Sequence, residues 1–124
     1  MKTKLFLTWA PYRPFNTLMV TAHVPDRAGV YKLSRPDDEG KLIVFYVGQA
    51  CDLRDRLLGH LLPSEPNKCV RGWVGTGRAQ FSFAEIPRQQ DRDGAERALF
   101  VHYRPTCNDP AGIPRGPDIE INPR

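Results

Sequence analysis

Residues 46–60 read Tyr46-Val-Gly-Gln-Ala-Cys-Asp-Leu-Arg-Asp-Arg-Leu-Leu-Gly-His60, and the rest of the predicted fold is arranged around them. The stretch opens at the end of an apolar run, residues 43–47, which predicts a β-strand. Gly48 is expected to break this strand, because glycine weakens strands. Asp52 then offers a good N-cap for a helix over residues 52–62. The stretch therefore predicts a strand, a glycine turn and a helix in direct succession.

The predicted helix carries two neighbouring stripes of side chains. Leucines at positions 53, 57 and 61 recur at helical spacing and predict the buried stripe. Asp52, Arg56 and His60 form the adjacent i, i+4 stripe. We expect Arg56 and His60 to lie side by side at the rim of the core, on a rigid element that can position a site.

Outside this stretch, β-rich runs predict strands, and apolar residues at helical spacing predict helices. The predicted strands are residues 4–9, 30–33, 42–47 and 80–86, with a short edge strand at 119–121. The predicted helices are residues 52–62, 69–74 and 94–103, and residues 16–24 fit either an extended segment or a helical turn. This order predicts one α+β domain: a small three-stranded antiparallel or mixed sheet flanked by helices, with an extra N-terminal strand and an irregular, proline-rich C-terminal tail.

The bulk properties suit a single intracellular domain with a polyanionic partner. A chain of 124 residues can fold without a metal or disulfide staple, and its net charge of +4 favours a polyanion. Cys51, Cys69 and Cys107 make an odd count without a CxxC pair, which indicates reduced cysteines. No cysteine or histidine spacing matches a zinc site. The apolar run at 5–7 is too short for a signal sequence, and we expect no membrane span.

A basic window lies between residues 66 and 84, where no acidic residue occurs. It contains Lys68, Arg71 and Arg78, with Trp73 among them. Clustered cations with an interleaved aromatic residue suit contact with nucleic acid. A solvated face without a partner is the alternative interpretation.

Two tripeptides flank the predicted hairpin, Gly29-Val-Tyr31 and Tyr46-Val-Gly48. They resemble the two tripeptides that give the GIY-YIG endonucleases their name. Arg56 follows at the family's spacing, and Glu96 and the segment Tyr103-Arg-Pro-Thr-Cys-Asn108 follow in the family's order. Either tripeptide alone would be weak evidence, but the ordered set is a specific signal.

The resemblance covers about residues 28–109, which leaves an N-terminal extension of residues 1–27 and a tail of residues 110–124. It implies an enzyme that hydrolyses DNA phosphodiesters with one divalent metal ion, Mg²⁺ or Mn²⁺. The chain carries no recognisable DNA-targeting module. A protein partner that supplies DNA specificity is therefore expected.

The resemblance also implies a role for each matching residue. Tyr31 is the implied base, and Tyr46 orients the attacking water. Arg56 suits a phosphate, because its planar and permanently charged fork matches two phosphate oxygens. Glu96 is the implied metal ligand, and His60 assists phosphate binding or proton transfer. The supporting residues are Gly29, Gly48 and Asn108.

These residues have structural explanations as well. Tyr31 and Tyr46 lie in predicted strands, where aromatic side chains pack anyway. Glu96 lies three residues after Asp93, so it could be the N3 residue of a capping box that starts the second long helix. His60 could simply face solvent.

Two arginines compete for the phosphate role. Arg54 and Arg56 point in nearly opposite directions on a helix, so only one can face the site. The spacing from Tyr46 favours Arg56. Gln49 stands where some family members carry a lysine, which leaves any lysine role unfilled.

The sequence as a whole predicts a single-domain, metal-dependent DNA endonuclease, cytoplasmic and of bacterial or phage origin. The alternative is a catalytically weak nucleic-acid-binding or adaptor module that retains the fold. A toxin or defence nuclease would share the chemistry and differ only in its biological setting.

Overall fold

The main sheet has four antiparallel strands, in the spatial order Arg13–Pro14, Gln80–Glu85, Gly29–Pro36 and Leu42–Ala50. The computed structural model describes residues 2–124. The strands are β1 (Thr3–Leu5), β2 (Arg13–Pro14), β3 (Gly29–Pro36), β4 (Leu42–Ala50), β5 (Gln80–Glu85) and β6 (Ile119–Ile121). The helices are α1 (Thr17–His23), α2 (Leu53–His60), α3 (Lys68–Gly75) and α4 (Gln89–Tyr103), with a 3₁₀ turn at Pro110–Gly112. β1 and β6 pair in parallel as a separate two-stranded sheet.

Helices cover both faces of the main sheet. Because side chains alternate along a strand, Tyr31 and Leu33 face the first three helices, while Val30 faces α4. The first core also contains Phe45 and Leu57, and the second is built around α4. Among residues 2–124, no helix combines the length and the apolar character that crossing a membrane requires.

The predicted α+β class is confirmed, but the strands differ in detail. The main sheet gains a fourth strand, β2, from the segment around Pro11 and Pro14, for which no strand was predicted. The predicted strand at 4–9 shrinks to Thr3–Leu5, because the backbone of Leu7 bonds to the side-chain amide of Asn122 instead of to a strand. The ambiguous segment at 16–24 is a helix, and Asn16 is its N-cap.

The expectation that Gly48 ends its strand is wrong. β4 continues to Ala50, and Gly48 stands opposite Tyr31 in the antiparallel register. Asp52 does cap α2, since its carboxylate accepts a hydrogen bond from the Asp55 amide at 3.0 Å. The helix then ends at His60 rather than at residue 62.

The second long helix starts at Gln89, more than one turn before the predicted start after Asp93. Its N-cap residue makes no side-chain cap bond. The Arg92 guanidinium instead donates to the carbonyl oxygens of Ile86 and Pro87, which fixes the chain at the helix entry. Asp93 therefore lies inside the helix, and Glu96 is not the N3 residue of a capping box.

The expectation of reduced cysteines is wrong for two of the three. Cys69 and Cys107 form a disulfide, while Cys51 is an exposed free thiol. The pair is invisible in the sequence because it joins the first turn of α3 to the segment after α4. The Asn67 side chain reinforces this junction by donating to the Cys107 carbonyl at 2.9 Å.

Candidate active site

Tyr31 lies at the centre of the candidate site. It sits on β3 with its side chain fully buried, and its hydroxyl lies against Gly48 on the neighbouring strand. A Cβ at position 48 would collide with the Tyr31 hydroxyl. Glycine at position 48 is therefore needed to accommodate the tyrosine, and this explains the pairing of the two tripeptides.

A buried chain of hydrogen bonds runs behind Tyr31. Its hydroxyl is 2.7 Å from His60 Nε2, and His60 Nδ1 is 3.1 Å from Glu65 Oε2. An ionised carboxylate can only accept, so Nδ1 is assigned the proton and Nε2 accepts from the tyrosine. The arrangement of carboxylate, imidazole and hydroxyl is that of a proton-accepting triad.

His60 is buried rather than facing solvent, which excludes that alternative. Burial lowers the pKa of His60, and the nearby Arg56 charge lowers it further, whereas Glu65 raises it. The net direction is downward, so the imidazole is neutral at neutral pH and free to accept a proton.

Glu65 is a residue that the sequence analysis missed, because it lies in an apparent linker. It is buried, and its second carboxylate oxygen accepts from the Asn67 amide at 3.2 Å. The Arg71 guanidinium donates to the backbone carbonyl oxygen of Glu65 at 2.7 Å. The only sequence signal was an acid between Pro63 and Pro66, a rigid setting for a loop residue.

The structure separates the two arginines as predicted. Arg56 Nε donates to the Tyr31 hydroxyl at 3.4 Å. Arg54 faces away and donates to the Val24 carbonyl at 2.8 Å. The pKa of Arg56 is raised, chiefly through its charge interaction with Tyr31. Arg56 is therefore the cation that faces the tyrosines.

Tyr46 joins the cluster from the adjacent strand and is half-buried. Its ring centroid is 6.2 Å from that of Tyr31 and 5.2 Å from that of His60. Burial raises the pKa of both tyrosines, and the charge of Arg56 opposes that rise at each. The more accessible phenol of the two is Tyr46.

Glu96 brings a carboxylate to this cluster from α4. It is 8% exposed, and none of the ion pairs among residues 2–124 includes it. Burial raises the pKa of Glu96, and the charge of Asp93 one turn earlier adds to the rise, while Gln49 and Arg56 oppose it. A buried carboxylate that forms no ion pair fits a hard divalent ion, which takes oxygen ligands and keeps several waters.

No group of three or more histidine, cysteine or acidic side chains in the described chain could hold a metal by itself. Asp93 is already engaged, since its carboxylate accepts from the Gln49 amide at 2.7 Å and from Gln89 at 2.8 Å. Glu96 makes no ion pair among residues 2–124, and its role as a metal ligand stays a prediction. Gln49 fills the place of the absent lysine with a structural hydrogen bond.

Two of the predicted supporting residues act through the backbone. Asn108 holds the backbone of Val47 with its side-chain oxygen and nitrogen, each at 2.9 Å. Gly29 lies so close to the backbone carbonyl of Ala84 that a Cβ at position 29 would clash with it. They fix β4 and β3 beside the tyrosines and touch no reacting group.

The basic window forms α3 and the turn after it. Lys68, Arg71 and Arg78 are exposed. Trp73 is half-buried, with its ring centroid 6.3 Å from that of Phe45 and the Arg35 guanidinium 4.1 Å above it. The window is connected to the tyrosine cluster through the contact of Arg71 with Glu65.

Comparison with known proteins gives one consistent result. No protein-family model and no curated protein matches the chain. Among solved structures, the GIY-YIG N-terminal endonuclease domain of UvrC from Thermotoga maritima, bound to its catalytic magnesium, is similar. It is 22% identical, with a TM-score of 0.58 over 75% of this chain and 96% of that domain. A point mutant of that domain, also bound to its catalytic divalent cation, gives a TM-score of 0.58 over 75% and 94%.

The chain therefore has the fold of a GIY-YIG endonuclease domain. The resemblance seen in the two tripeptides is confirmed at the level of the fold.

Proposed function

We propose that this protein is a divalent-metal-dependent endonuclease that hydrolyses DNA phosphodiesters. The observation that carries the proposal is the hydrogen-bonded chain from Glu65 through His60 to Tyr31, with Arg56 on the same phenol. A structural tyrosine needs one partner, whereas this one has a proton acceptor on one side and a cation on the other. That arrangement suits a group that loses and regains a proton.

The proposed proton path runs inward from the substrate. Tyr31 accepts the proton of the attacking water as its own proton passes to His60 Nε2. Glu65 stabilises the imidazolium that forms, and Arg56 stabilises the transient phenolate. These neighbours matter because a phenol at its ordinary pKa of about 10 is a poor base at neutral pH, and burial raises the pKa of Tyr31 further in the free protein.

Tyr31 is enclosed in the free protein, so its role requires that DNA binding expose its hydroxyl to water. Apo geometry is a weak argument against a catalytic group, since such sites tighten or open on binding. Tyr46 is proposed to orient the water and is the alternative acceptor. Comparing the cleavage rates of Tyr31→Phe and Tyr46→Phe shows which tyrosine accepts the proton, because loss of the proton acceptor should lower the rate more than loss of the residue that orients the water.

Glu96 is proposed to hold one Mg²⁺ or Mn²⁺ ion. The bound ion would supply positive charge to the phosphate and leaving oxygen. Arg56 would bind the phosphate through its guanidinium. Lys68, Arg71 and Arg78 would contact the DNA backbone beyond the site. Trp73 would support α3 from its buried face.

The enclosure of Tyr31 also favours a second candidate, a DNA-binding adaptor that retains the fold but cleaves weakly. The cytoplasmic location remains a prediction, and the Cys69–Cys107 disulfide instead suits an oxidising setting. The protein partner expected from the sequence has no support, and none is proposed.

Incubation of the purified protein with plain, nicked and branched DNA tests the proposal. We expect cleavage of at least one form in Mg²⁺ or Mn²⁺ and none in EDTA. Tight DNA binding without metal-dependent cleavage of any form would favour the adaptor.

A further inference from the structure

Lys32 follows Tyr31 in β3 and faces the opposite side of the sheet. Its side chain is 2% exposed. The ammonium nitrogen lies 4.1 Å from the Trp9 ring centroid, 5.3 Å from that of Tyr12 and 5.6 Å from that of Tyr103. It donates one hydrogen bond, to the Pro123 carbonyl at 2.6 Å. None of the ion pairs among residues 2–124 includes it.

A buried ammonium without an anion is costly, and the aromatic rings compensate only in part. Burial, and then the charge of Arg124, lowers the pKa of Lys32 to about 8. Keeping Lys32 protonated at neutral pH therefore costs free energy. A bound anion would lower that cost.

Lys32 lines a cavity of about 750 Å³ on this face of the sheet, together with Ser82 of the neighbouring strand. Two more cationic side chains, Lys41 and Arg124, line the same space, and among residues 2–124 no acidic side chain lines it. The walls are aromatic and aliphatic, formed by Trp9, Tyr12, Tyr103, Leu42, Ile43 and Val44. The volume is in the range of small-molecule sites, which combine mostly apolar walls with a few polar groups.

We propose that this cavity is a second binding site, separate from the tyrosine cluster, and that it takes a nucleotide. The three cations select a phosphate, and the aromatic walls select a flat, apolar body such as a base. Inorganic phosphate alone would leave the rings unused, and a nucleoside alone would leave the cations unpaired. The inference does not depend on the proposed nuclease activity, because no residue of that site lines the cavity.

The nucleotide could be free or the unpaired end of a nucleic acid strand, since both present the same phosphate and base. Tyr103 lies seven positions after Glu96 on α4, which places the cavity roughly 10 Å along the helix from the proposed metal ligand. A strand that leaves the tyrosine cluster could span that distance. A blunt DNA duplex and the same duplex with a single-stranded tail separate the two sources.

The test is calorimetric titration of the full chain with deoxyadenosine monophosphate, deoxyadenosine and inorganic phosphate, without metal. We expect saturable binding of the monophosphate, at least roughly tenfold tighter than either fragment, the scale of one charge-assisted hydrogen bond. Binding should weaken between about pH 7 and about pH 9, as Lys32 loses its proton. Tyr12 and Tyr103 stay neutral there, because burial raises the pKa of each. The other charged side chains that line the cavity are Lys41 and Arg124, and Arg124 also carries the α-carboxylate that ends the sequence.

Substitutions locate the binding. Lys41→Ala and Arg124→Ala should each weaken monophosphate binding roughly tenfold, and the apolar Lys32→Met should abolish it while keeping the packed volume. Lys4→Ala, an equal change of charge on the exposed N-terminal strand, and Arg56→Ala, in the other site, should leave it unchanged. Absent binding, equal binding of the nucleoside, or an Arg56→Ala effect as large as that of Lys41→Ala would overturn the proposal.

A tailed duplex that competes with the monophosphate better than the blunt duplex assigns the site to a strand end, and equal competition assigns it to a free nucleotide.

Discussion

The phenol of Tyr31 occupies the space where a side chain at position 48 would begin, because Tyr31 and Gly48 are cross-strand partners in the β3–β4 ladder. The two tripeptides of the sequence thus form one structural unit. The glycine of the second allows the tyrosine of the first to reach His60 and Arg56.

Gly48→Ala should therefore damage the site more than the fold. The added methyl group forces the Tyr31 hydroxyl away from His60, and we expect a loss of about 10²-fold in cleavage rate, the scale of removing a proton-transfer group. Gly59→Ala is the matched control, since nothing lies within 4 Å of a Cβ there and α2 should gain stability. Equal rates in the two variants would show that the Tyr31 position does not matter.

Glu65→Gln should slow cleavage by roughly tenfold to a hundredfold, because an amide neither fixes the His60 tautomer nor stabilises the imidazolium. The sign of the pH effect identifies the role. Glu65 raises the pKa of His60, so its loss lets that pKa fall and moves the acid limb of the rate profile to lower pH. Glu39→Gln, on the exposed hairpin loop, is the control. A slower enzyme with an unmoved pH profile would reduce Glu65 to a structural residue.

Sequence patterns predicted the parts of the site that follow from local geometry. The phase of α2 follows from its leucines, so Arg56 and not Arg54 was expected to face the tyrosines, and the structure agrees. Glu65 was missed because its burial depends on a loop folding back onto His60, which no periodicity encodes. The early start of α4 was missed because no cap residue marks it. The Arg92 side chain fixes the helix entry instead, by donating to the carbonyl oxygens of Ile86 and Pro87.

Arg56→Ala should cost at least about two orders of magnitude in rate, since it removes charge from both the phenolate and the phosphate. Arg54→Ala removes one hydrogen bond to the Val24 carbonyl and should cost about 1 kcal/mol of stability with little change in rate. Single-turnover cleavage and thermal unfolding measure the two effects separately. If Arg54→Ala is the slower enzyme, the assignment of the site-facing arginine is wrong.

Lys68→Ala/Arg78→Ala should weaken DNA binding and flatten its salt dependence by about one unit of slope per lost contact. Arg71 is left in place because it also supports Glu65. Turnover at saturating DNA should change little, since these groups lie outside the reacting centre. Lys2→Ala/Lys4→Ala carries the same change of charge at the N-terminus. An unchanged salt slope in the α3 variant would make the window a solvated face.

Glu96→Gln tests the metal ligand without an activity assay. The pKa of Glu96 is higher in the folded protein than in the unfolded chain, so the folded state binds this proton more tightly. The free energy of unfolding therefore falls as the pH rises from the unfolded-state pKa to the folded-state pKa. In EDTA at neutral pH, the Gln variant should therefore melt at a higher temperature than the parent. Mg²⁺ should raise the melting temperature of the parent and leave the variant unmoved. A variant that melts lower, or that still responds to Mg²⁺, would contradict the assignment.

Single-turnover cleavage of pre-bound DNA is the decisive measurement for the proposal that the protein is a metal-dependent nuclease centred on Tyr31 and Glu96. We expect cleavage by the parent in Mg²⁺, none in EDTA, and none by Glu96→Gln or Tyr31→Phe, although both variants bind the DNA as tightly as the parent. Parent cleavage that persists unchanged in EDTA, or variants that cleave at the parental rate, would contradict it.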